Sequence, residues 1–232
     1  MTLNILFGCD RLDVDGFAWE FLNSEVTSSF VEACQPLFDQ AENRFGVRDA
    51  AQKSSHLSGL IDRALLPLAH RYLHPQAFLV RSTLFDKPQD SNWAVPWHQD
   101  VTIEVAERHE IEGFGPWSVK EGVISVQPPA SVLQKMLTLR LHLDPTDAEN
   151  GALMVEPGSH LQGKLRINEI VAEDPVLCAC QAGEILMMKP LLFHASNRSI
   201  SDRPRRVLHL DFAYEGLPAP LEWRRAYSPS SR

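Results

Sequence analysis

The chain has 232 residues, a net charge of −8 and 44% hydrophobic residues. This composition is typical of a globular protein and excludes a disordered chain, a collagen and a coiled coil. Its apolar stretches are shorter than the roughly 18–20 residues that a membrane-spanning helix needs. No membrane partner is therefore expected. Basic residues form no block longer than 203–206, so no nucleic-acid partner is expected either.

The first 75 residues predict a helical region. Apolar side chains recur at helical spacing over residues 15–43, where Pro36 is the only proline. A second helix is predicted over residues 58–73. It ends at the pair His74-Pro75, because the residue before a proline avoids the helical conformation.

After Pro75 the hydrophobic pattern alternates, as it does in strands. The clearest strand covers residues 137–143, with leucine at every odd position, and residues 205–214 form the last strand of the sheet. Shorter strands are predicted at residues 78–85, 124–127, 152–155 and 184–188.

The order of these elements indicates the fold class. Helices followed by many short strands predict a mainly β protein, an antiparallel barrel or sandwich with the N-terminal helices packed on one outer face. We expect a single domain over residues 1–232, with helices to residue 75, a barrel over about 76–215 and a short C-terminal tail.

The predicted strands give the barrel a polar inner face. With the leucines of residues 137–143 packed outward on the helices, Thr138, Arg140 and His142 point inward. His209 shares one face of the last strand with Asp211. So polar an interior is a poor core and suits a barrel that holds a polar ligand.

A candidate metal site lies at His98-Gln99-Asp100. On a strand, His98 and Asp100 share a face, so an imidazole nitrogen and a carboxylate oxygen can reach one ion. His194 is the best third ligand, because it follows an apolar strand and opens a polar turn. Two histidines and one carboxylate form the facial triad of non-haem iron oxygenases, although zinc and a simple hydrogen-bonded pair at a strand end are alternatives.

Arg205 is a candidate anion-binding residue near this site. It follows His194 by eleven residues and has the inward parity of the last strand. A buried guanidinium needs an anion, and its fork matches a carboxylate. A dicarboxylate such as 2-oxoglutarate, bound to the metal at one end and to Arg205 at the other, would explain both features. Arg203 and Arg206 are competitors, and a surface position for Arg205 is the alternative.

These motifs together resemble the phytanoyl-CoA dioxygenase family of Fe(II)- and 2-oxoglutarate-dependent oxygenases. The matching pieces, in the family's order, are His98-x-Asp100, Asn150-Gly-Ala-Leu153, Pro157-Gly-Ser-His160, Ala182-Gly-Glu184 and His194-x-Ser196 running on to Arg205. The resemblance implies a double-stranded β-helix that uses Fe(II), 2-oxoglutarate and O₂. It implies that His98, Asp100 and His194 bind iron and that Arg205 binds the distal carboxylate of 2-oxoglutarate, with Ser196 as a helper.

Other polar residues are weaker candidates for the cavity wall. Arg140 and Thr138 are candidates for 2-oxoglutarate binding. Candidate substrate-binding residues are Trp117, Lys120, His209, Arg81 and Thr83. The alternative for the inward-facing residues is an internal hydrogen-bond network that stiffens the barrel.

The predicted function is hydroxylation of a small metabolite or natural-product intermediate. A ligand-binding barrel without oxygenase activity and a zinc hydrolase are the alternatives. Cys178 and Cys180 are expected to be reduced packing residues of a cytoplasmic protein, because four cysteines in a chain of this length do not make a disulfide framework. The sequence does not predict the oligomeric state.

Overall fold

The helices lie mainly in the first third of the chain. A computed structural model describes residues 8–41, 46–86 and 94–226. The α-helices are α1 (Gly8–Val14), α2 (Ser24–Asp39), α3 (Ala50–Lys53), α4 (Ser55–Leu60), α5 (Leu66–Tyr72) and α6 (Ala130–Leu133). A π-helical segment, Ile61–Leu65, joins α4 to α5, so the second predicted helix is confirmed as one helical stretch that ends before Pro75.

The strands form three antiparallel sheets. They are β1 (Phe17–Phe21), β2 (Gly46–Arg48), β3 (Phe78–Phe85), β4 (Val95–His98), β5 (Ile103–Val105), β6 (Trp117–Lys120), β7 (Val123–Val126), β8 (Met136–His142), β9 (Leu153–Val155), β10 (Val176–Cys178), β11 (Glu184–Met188), β12 (His194–Ser196) and β13 (Val207–Ala213). The large sheet has the order β1-β11-β8-β13-β3-β2, the second β10-β9-β12-β4 and the third β5-β7-β6.

The first predicted helix is wrong at its start. Residues 17–21 form β1, which pairs with β11 at the edge of the large sheet. Phe17 packs against Leu153 in one cluster and Ala18 packs in the helix-covered core, as expected for a strand, in which successive side chains point to opposite faces. Part of the predicted helix end, residues 42–45, lies outside the described residues.

The helix itself, α2, begins where a capping residue allows it. The Asn23 side chain accepts a hydrogen bond from the Val26 amide and so satisfies one of the free donors of the first turn. Phe30 and Cys34 of α2 are buried in a core cluster with residues of the large sheet. The helices therefore cover one face of that sheet.

The leucines of β8 and β13 pack as predicted. Leu139, Leu141, Leu208 and Leu210 are buried in the same core cluster as the residues of α2 and α4. Their sequence neighbours consequently lie on the opposite face of the sheet. That face, lined by Arg140 and His209 among others, borders a cavity shared with the second sheet.

The boundaries of the last strand differ from the prediction. Strand β13 begins at Val207, so Arg205 lies in the segment just before it. The predicted C-terminal tail, residues 228–232, lies outside the described part of the chain. Among the helices of the described residues, none is long and apolar enough to cross a membrane.

Candidate active site

Two histidines are brought together by the pairing of β4 with β12. His98 at the end of β4 and His194 at the start of β12 are direct cross-strand partners. Their ring centroids are 4.1 Å apart. Asp100 follows β4, and its backbone amide donates a hydrogen bond of 2.9 Å to the carbonyl of Pro190. The loop before β12 thus holds the carboxylate beside both rings.

The tautomers of the two histidines suit a metal ion. His98 Nδ1 lies 2.9 Å from the Pro96 carbonyl oxygen, and His194 Nδ1 lies 2.9 Å from that of Leu192. Because a carbonyl only accepts, each Nδ1 carries the proton and each Nε2 presents a lone pair. The Nε2 atoms lie 3.9 and 3.7 Å from the Asp100 carboxylate oxygens, too far for hydrogen bonds.

The protonation states also fit a metal site. Burial lowers the pKa of His194 to about 4, although the negative charge of Asp100 opposes this. Burial raises the pKa of Asp100, but in the acid range where this carboxyl titrates, protonated His194 and the positive charge of Arg81 outweigh burial and leave the pKa below its usual range. His194 is therefore neutral and Asp100 ionised near pH 7, the states that bind a metal. One ligand atom from each of the three residues lies within 4.8 Å of the others, so they could hold one ion.

Gln99 anchors the segment between the first two of these residues. Its buried side-chain amide donates to the carbonyls of Gly163 and Leu191, at 2.7 and 2.8 Å. Its amide oxygen accepts a hydrogen bond from the Leu165 amide. No motif indicates this role, because the partners of Gln99 lie far from it along the chain.

A cavity of about 230 Å³ opens beside the three residues. His98, Asp100, His194, Arg140, Ser196 and Arg205 line it. The Nε atoms of Arg140 and Arg205 are buried and have no hydrogen-bond partner among the described residues. Burial and the like charge of Arg140 lower the pKa of Arg205 to about 10. Two guanidinium groups with unpartnered donors fit a bound anion, and the cavity is large enough for a small dicarboxylate.

The Asn150-Gly151 motif holds Arg205 at this cavity. The Gly151 carbonyl accepts a hydrogen bond from Arg205 Nη1. Gly151 has φ of +75°, and a Cβ there would stand 2.6 Å from the Asn197 carbonyl oxygen, so only glycine fits without strain. The Asn150 side chain closes the turn by accepting from the Asp147 amide and donating to the Pro145 carbonyl.

The two competing arginines have other partners. The Arg206 guanidinium donates two hydrogen bonds to the Asp144 carboxylate, at 2.7 and 2.8 Å, and a third to Gln35 of α2. Arg203 is exposed and pairs with Asp147. Of these three arginines, only Arg205 lines the cavity of the histidines.

A second cavity of about 410 Å³ adjoins the first and shares Asp100, Phe85 and His209 with it. Among the predicted substrate-binding residues, Arg81, Thr83, Lys120 and His209 line this second cavity. Trp117 does not line either cavity. It packs against an apolar cluster on the third sheet, with the Arg108 guanidinium 5.4 Å from its ring centre.

Thr138 also differs in its surroundings from the prediction. It is fully buried, and its hydroxyl donates a hydrogen bond of 2.6 Å to Asp211. Thr138 faces inward as predicted, but its hydroxyl is hydrogen-bonded to the Asp211 carboxylate. Thr138 lines neither cavity.

Several solved structures share the fold of this chain at less than 25% sequence identity. The non-haem α-ketoglutarate-dependent epimerase SnoN from nogalamycin biosynthesis has a TM-score of 0.68 at 16% identity, over 89% of this chain and 79% of its own. EctD from S. alaskensis has a TM-score of 0.69 at 19% identity, over 91% of this chain and 78% of its own. AviO1 from Streptomyces viridochromogenes Tue57 has a TM-score of 0.64 at 20% identity, over 91% of this chain and 95% of its own. These likenesses confirm the predicted double-stranded β-helix.

Two histidines and a carboxylate that could hold one ion, on a fold of this kind, match the ligand set of non-haem iron oxygenases. The chain belongs to the phytanoyl-CoA dioxygenase family, whose model matches residues 24–207. Membership confirms the predicted class of enzyme, which uses iron, 2-oxoglutarate and O₂.

Two curated relatives match a shorter part of the chain. They are the uncharacterized proteins Rv1501 of Mycobacterium tuberculosis (strain ATCC 25618 / H37Rv) and Mb1539 of Mycobacterium bovis (strain ATCC BAA-935 / AF2122/97). Each is 27% identical over 84 residues, which is 36% of this chain. The matched segment spans 31% of the length of each relative, so these matches do not extend to the relatives' full activities.

Proposed function

We propose that this protein hydroxylates a small-molecule metabolite or natural-product intermediate, with His98, Asp100 and His194 as its iron ligands. The observation that carries the proposal is a shared cavity. The three residues that could hold a metal open onto the same 230 Å³ space as the unpartnered guanidinium donors of Arg140 and Arg205. A metal site beside an anion site is what 2-oxoglutarate needs, since it binds the metal at one end and carries a carboxylate at the other.

Each residue of the cavity then has a distinct part. Arg205, fixed by the Gly151 carbonyl, meets the distal carboxylate of 2-oxoglutarate together with Ser196. Arg140 adds a second positive charge to the same wall. When bound, iron and 2-oxoglutarate supply the oxidant for a substrate C–H bond, while O₂ is reduced and 2-oxoglutarate becomes succinate and CO₂.

The adjoining cavity is the proposed substrate site. It reaches Asp100, so a molecule bound there lies next to the metal ligands. Arg81, Thr83, Lys120 and His209 supply polar and cationic contacts that orient such a molecule. SnoN has been solved in complex with Fe³⁺, α-ketoglutarate and nogalamycin RO, and this complex of a protein with a similar fold supports the proposal of a natural-product ligand here.

We also propose that the protein is located in the reducing cytoplasm. Cys34, Cys178 and Cys180 are free and buried. Burial raises the pKa of both Cys34 and Cys178 to about 12, so these thiols are protonated and serve as packing groups.

The test is succinate release from 2-oxoglutarate by the Fe(II)-loaded protein, with ascorbate and O₂, during a screen of metabolite extracts. We expect an extract fraction that raises succinate release and contains a product heavier by one oxygen atom. The matched control is His194→Ala, which should release no succinate above background. Turnover that needs zinc but no O₂ or 2-oxoglutarate would replace the proposal with a hydrolase, and metal binding without any turnover would replace it with a binding protein.

A further inference from the structure

A ladder of polar side chains crosses the inner face of the large sheet. Asp211 on β13 lies opposite Thr138 on β8 and Arg81 on β3. Two residues earlier on the same face, His209 lies opposite Arg140 on β8. Side chains of directly opposed residues are close enough to interact, so this register creates a continuous set of contacts across three strands.

One arm of the ladder leads from Asp211 to the cavity of the metal ligands. Arg140 Nη1 lies 3.0 Å from His209 Nδ1, and His209 Nε2 lies 3.2 Å from Asp211 Oδ1. A guanidinium only donates, so His209 Nδ1 must accept the hydrogen bond. The proton of the neutral ring is therefore on Nε2 and is donated to Asp211.

The other arm leads to the adjoining cavity. Arg81 lines that cavity, and its Nε donates to Asp211 Oδ2. Thr138 donates to the other carboxylate oxygen, Oδ1, which also accepts the hydrogen bond from His209. Asp211 is 2% exposed and lines neither cavity, so it has no direct contact with a ligand in either of them.

A fixed acceptor for Arg140 is needed because of Arg205. The two guanidinium groups line one cavity and repel each other, which contributes to the lowered pKa of Arg205. Without the hydrogen bond to His209, Arg140 would be free to move away from Arg205 and from the bound anion. His209 holds Arg140 only in the tautomer that Asp211 imposes on it.

We infer that Asp211 is a positioning residue for both organic ligands: it holds Arg140 at the 2-oxoglutarate cavity through His209, and it holds Arg81 at the substrate cavity directly. This inference rests on the proposed function, because it assigns the two cavities to 2-oxoglutarate and to substrate. Asp211 would thus act on both ligands through other side chains, without contacting either ligand itself.

The experiment measures binding of 2-oxoglutarate to Mn(II)-loaded protein by titration calorimetry, without turnover. Asp211→Asn keeps the shape of the side chain but removes its charge, and we expect at least tenfold weaker 2-oxoglutarate binding with Mn(II) affinity changed less than twofold. His209→Gln, which interrupts the same arm one step later, should weaken 2-oxoglutarate to a similar degree. In an Arg140→Ala background, Asp211→Asn should cause no further loss, since both changes remove one function.

The matched control is Asp144→Asn. Asp144 is a buried aspartate paired with an arginine, Arg206, that contacts α2 rather than either cavity. Its substitution should lower the thermal melting temperature and leave 2-oxoglutarate binding unchanged. A loss of 2-oxoglutarate affinity in Asp144→Asn equal to that in Asp211→Asn would mean that general destabilisation is the cause, and would overturn the inference.

The remaining outcomes separate the inference from the proposed function. If the unmodified protein binds Mn(II) but not 2-oxoglutarate, the proposed function itself is wrong. If the unmodified protein binds 2-oxoglutarate and the Asp211→Asn and His209→Gln variants bind it equally well, only the inference is wrong. A further loss of 2-oxoglutarate affinity when Asp211→Asn is added to Arg140→Ala would likewise overturn the inference. If Asp211→Asn does not fold, His209→Gln decides by the same criterion.

Discussion

His98 and His194 face each other as cross-strand partners, with ring centroids 4.1 Å apart. The register of β4 on β12, rather than proximity along the chain, therefore assembles the proposed metal centre. Each ring is held by a backbone carbonyl two residues earlier in its own segment, Pro96 for His98 and Leu192 for His194. The site is thus organised by the backbone before a metal arrives.

Replacing either histidine should strongly weaken metal binding while leaving the fold intact. For His98→Ala and His194→Ala we expect Fe(II) affinity to fall at least ~100-fold, because even an outer-sphere partner of a ligand is worth roughly 10- to 100-fold. Anaerobic Fe(II) titration and circular dichroism give the two measurements. His109→Ala, at a partly exposed histidine near Glu107, is the control. Unchanged Fe(II) affinity in both site variants would refute the ligand assignment.

Arg205 should determine affinity for 2-oxoglutarate rather than for iron. Arg205→Ala removes one partner of the proposed ion pair with the 2-oxoglutarate carboxylate, a loss of about 3–5 kcal/mol for a fully buried pair. Because Arg205 is partly exposed, we expect the lower end, roughly 100-fold weaker binding. Titration of 2-oxoglutarate into metal-loaded protein measures it. Arg203→Ala, which removes an exposed arginine from the same turn, should bind normally. Normal binding by Arg205→Ala would move the role to Arg140.

Gly151 should matter for the same ligand through Arg205. Gly151→Ala forces a side chain into the left-handed region, which costs about 1–3 kcal/mol. It also sets a Cβ 2.6 Å from the Asn197 carbonyl oxygen and 3.4 Å from Arg205 Nη1. We expect reduced stability to urea and weaker 2-oxoglutarate binding.

Gly122→Ala is the matched control for this change. Gly122 has φ of +77°, and a Cβ there would meet no atom within 4 Å. It should lose stability from the backbone strain alone and keep its affinity for 2-oxoglutarate. Equal affinities in the two variants would show that the Gly151 turn does not position Arg205.

The fold was predictable where one face of a strand packs on the apolar core and the other face borders a polar cavity. In β8, Leu139 and Leu141 pack on the helix-covered core while Arg140 borders the cavity, so the sequence alternates strictly. β1 was missed because it has only five residues and follows directly on α1. So short an alternation does not stand out from the helical pattern on either side of it.

The site was predictable in its residues more than in their partners. The spacing of His98 and Asp100 and the parity of Arg205 led to residues that line one cavity. Thr138 and Gln99 show the limit of such reasoning. Thr138 faces inward as predicted but is bound by Asp211, and the partners of Gln99 lie on distant segments. Periodicity gives the face of a side chain, whereas its partners depend on the register between strands.

His142 should make the protein less stable in mild acid. Burial lowers the pKa of His142 to about 3, so the native state holds this ring neutral, with its Nδ1 donating to the Glu184 carbonyl. In the unfolded chain the pKa is about 6.5. The stabilisation from this group is therefore fully present above pH ~6.5 and is lost as pH falls toward 3, at up to about 1.4 kcal/mol per pH unit.

The comparison of unmodified protein with His142→Asn isolates this contribution, because asparagine keeps a donor near the Glu184 carbonyl but does not titrate. The free energy of unfolding in urea, measured without metal between pH 7 and pH 5, should fall more steeply for the unmodified protein. The gap between the two slopes should approach about 1.4 kcal/mol per pH unit at the acid end. His109→Asn, at a partly exposed histidine, should keep the steep slope. Parallel curves for the unmodified protein and His142→Asn would show that His142 is not held neutral in the folded state.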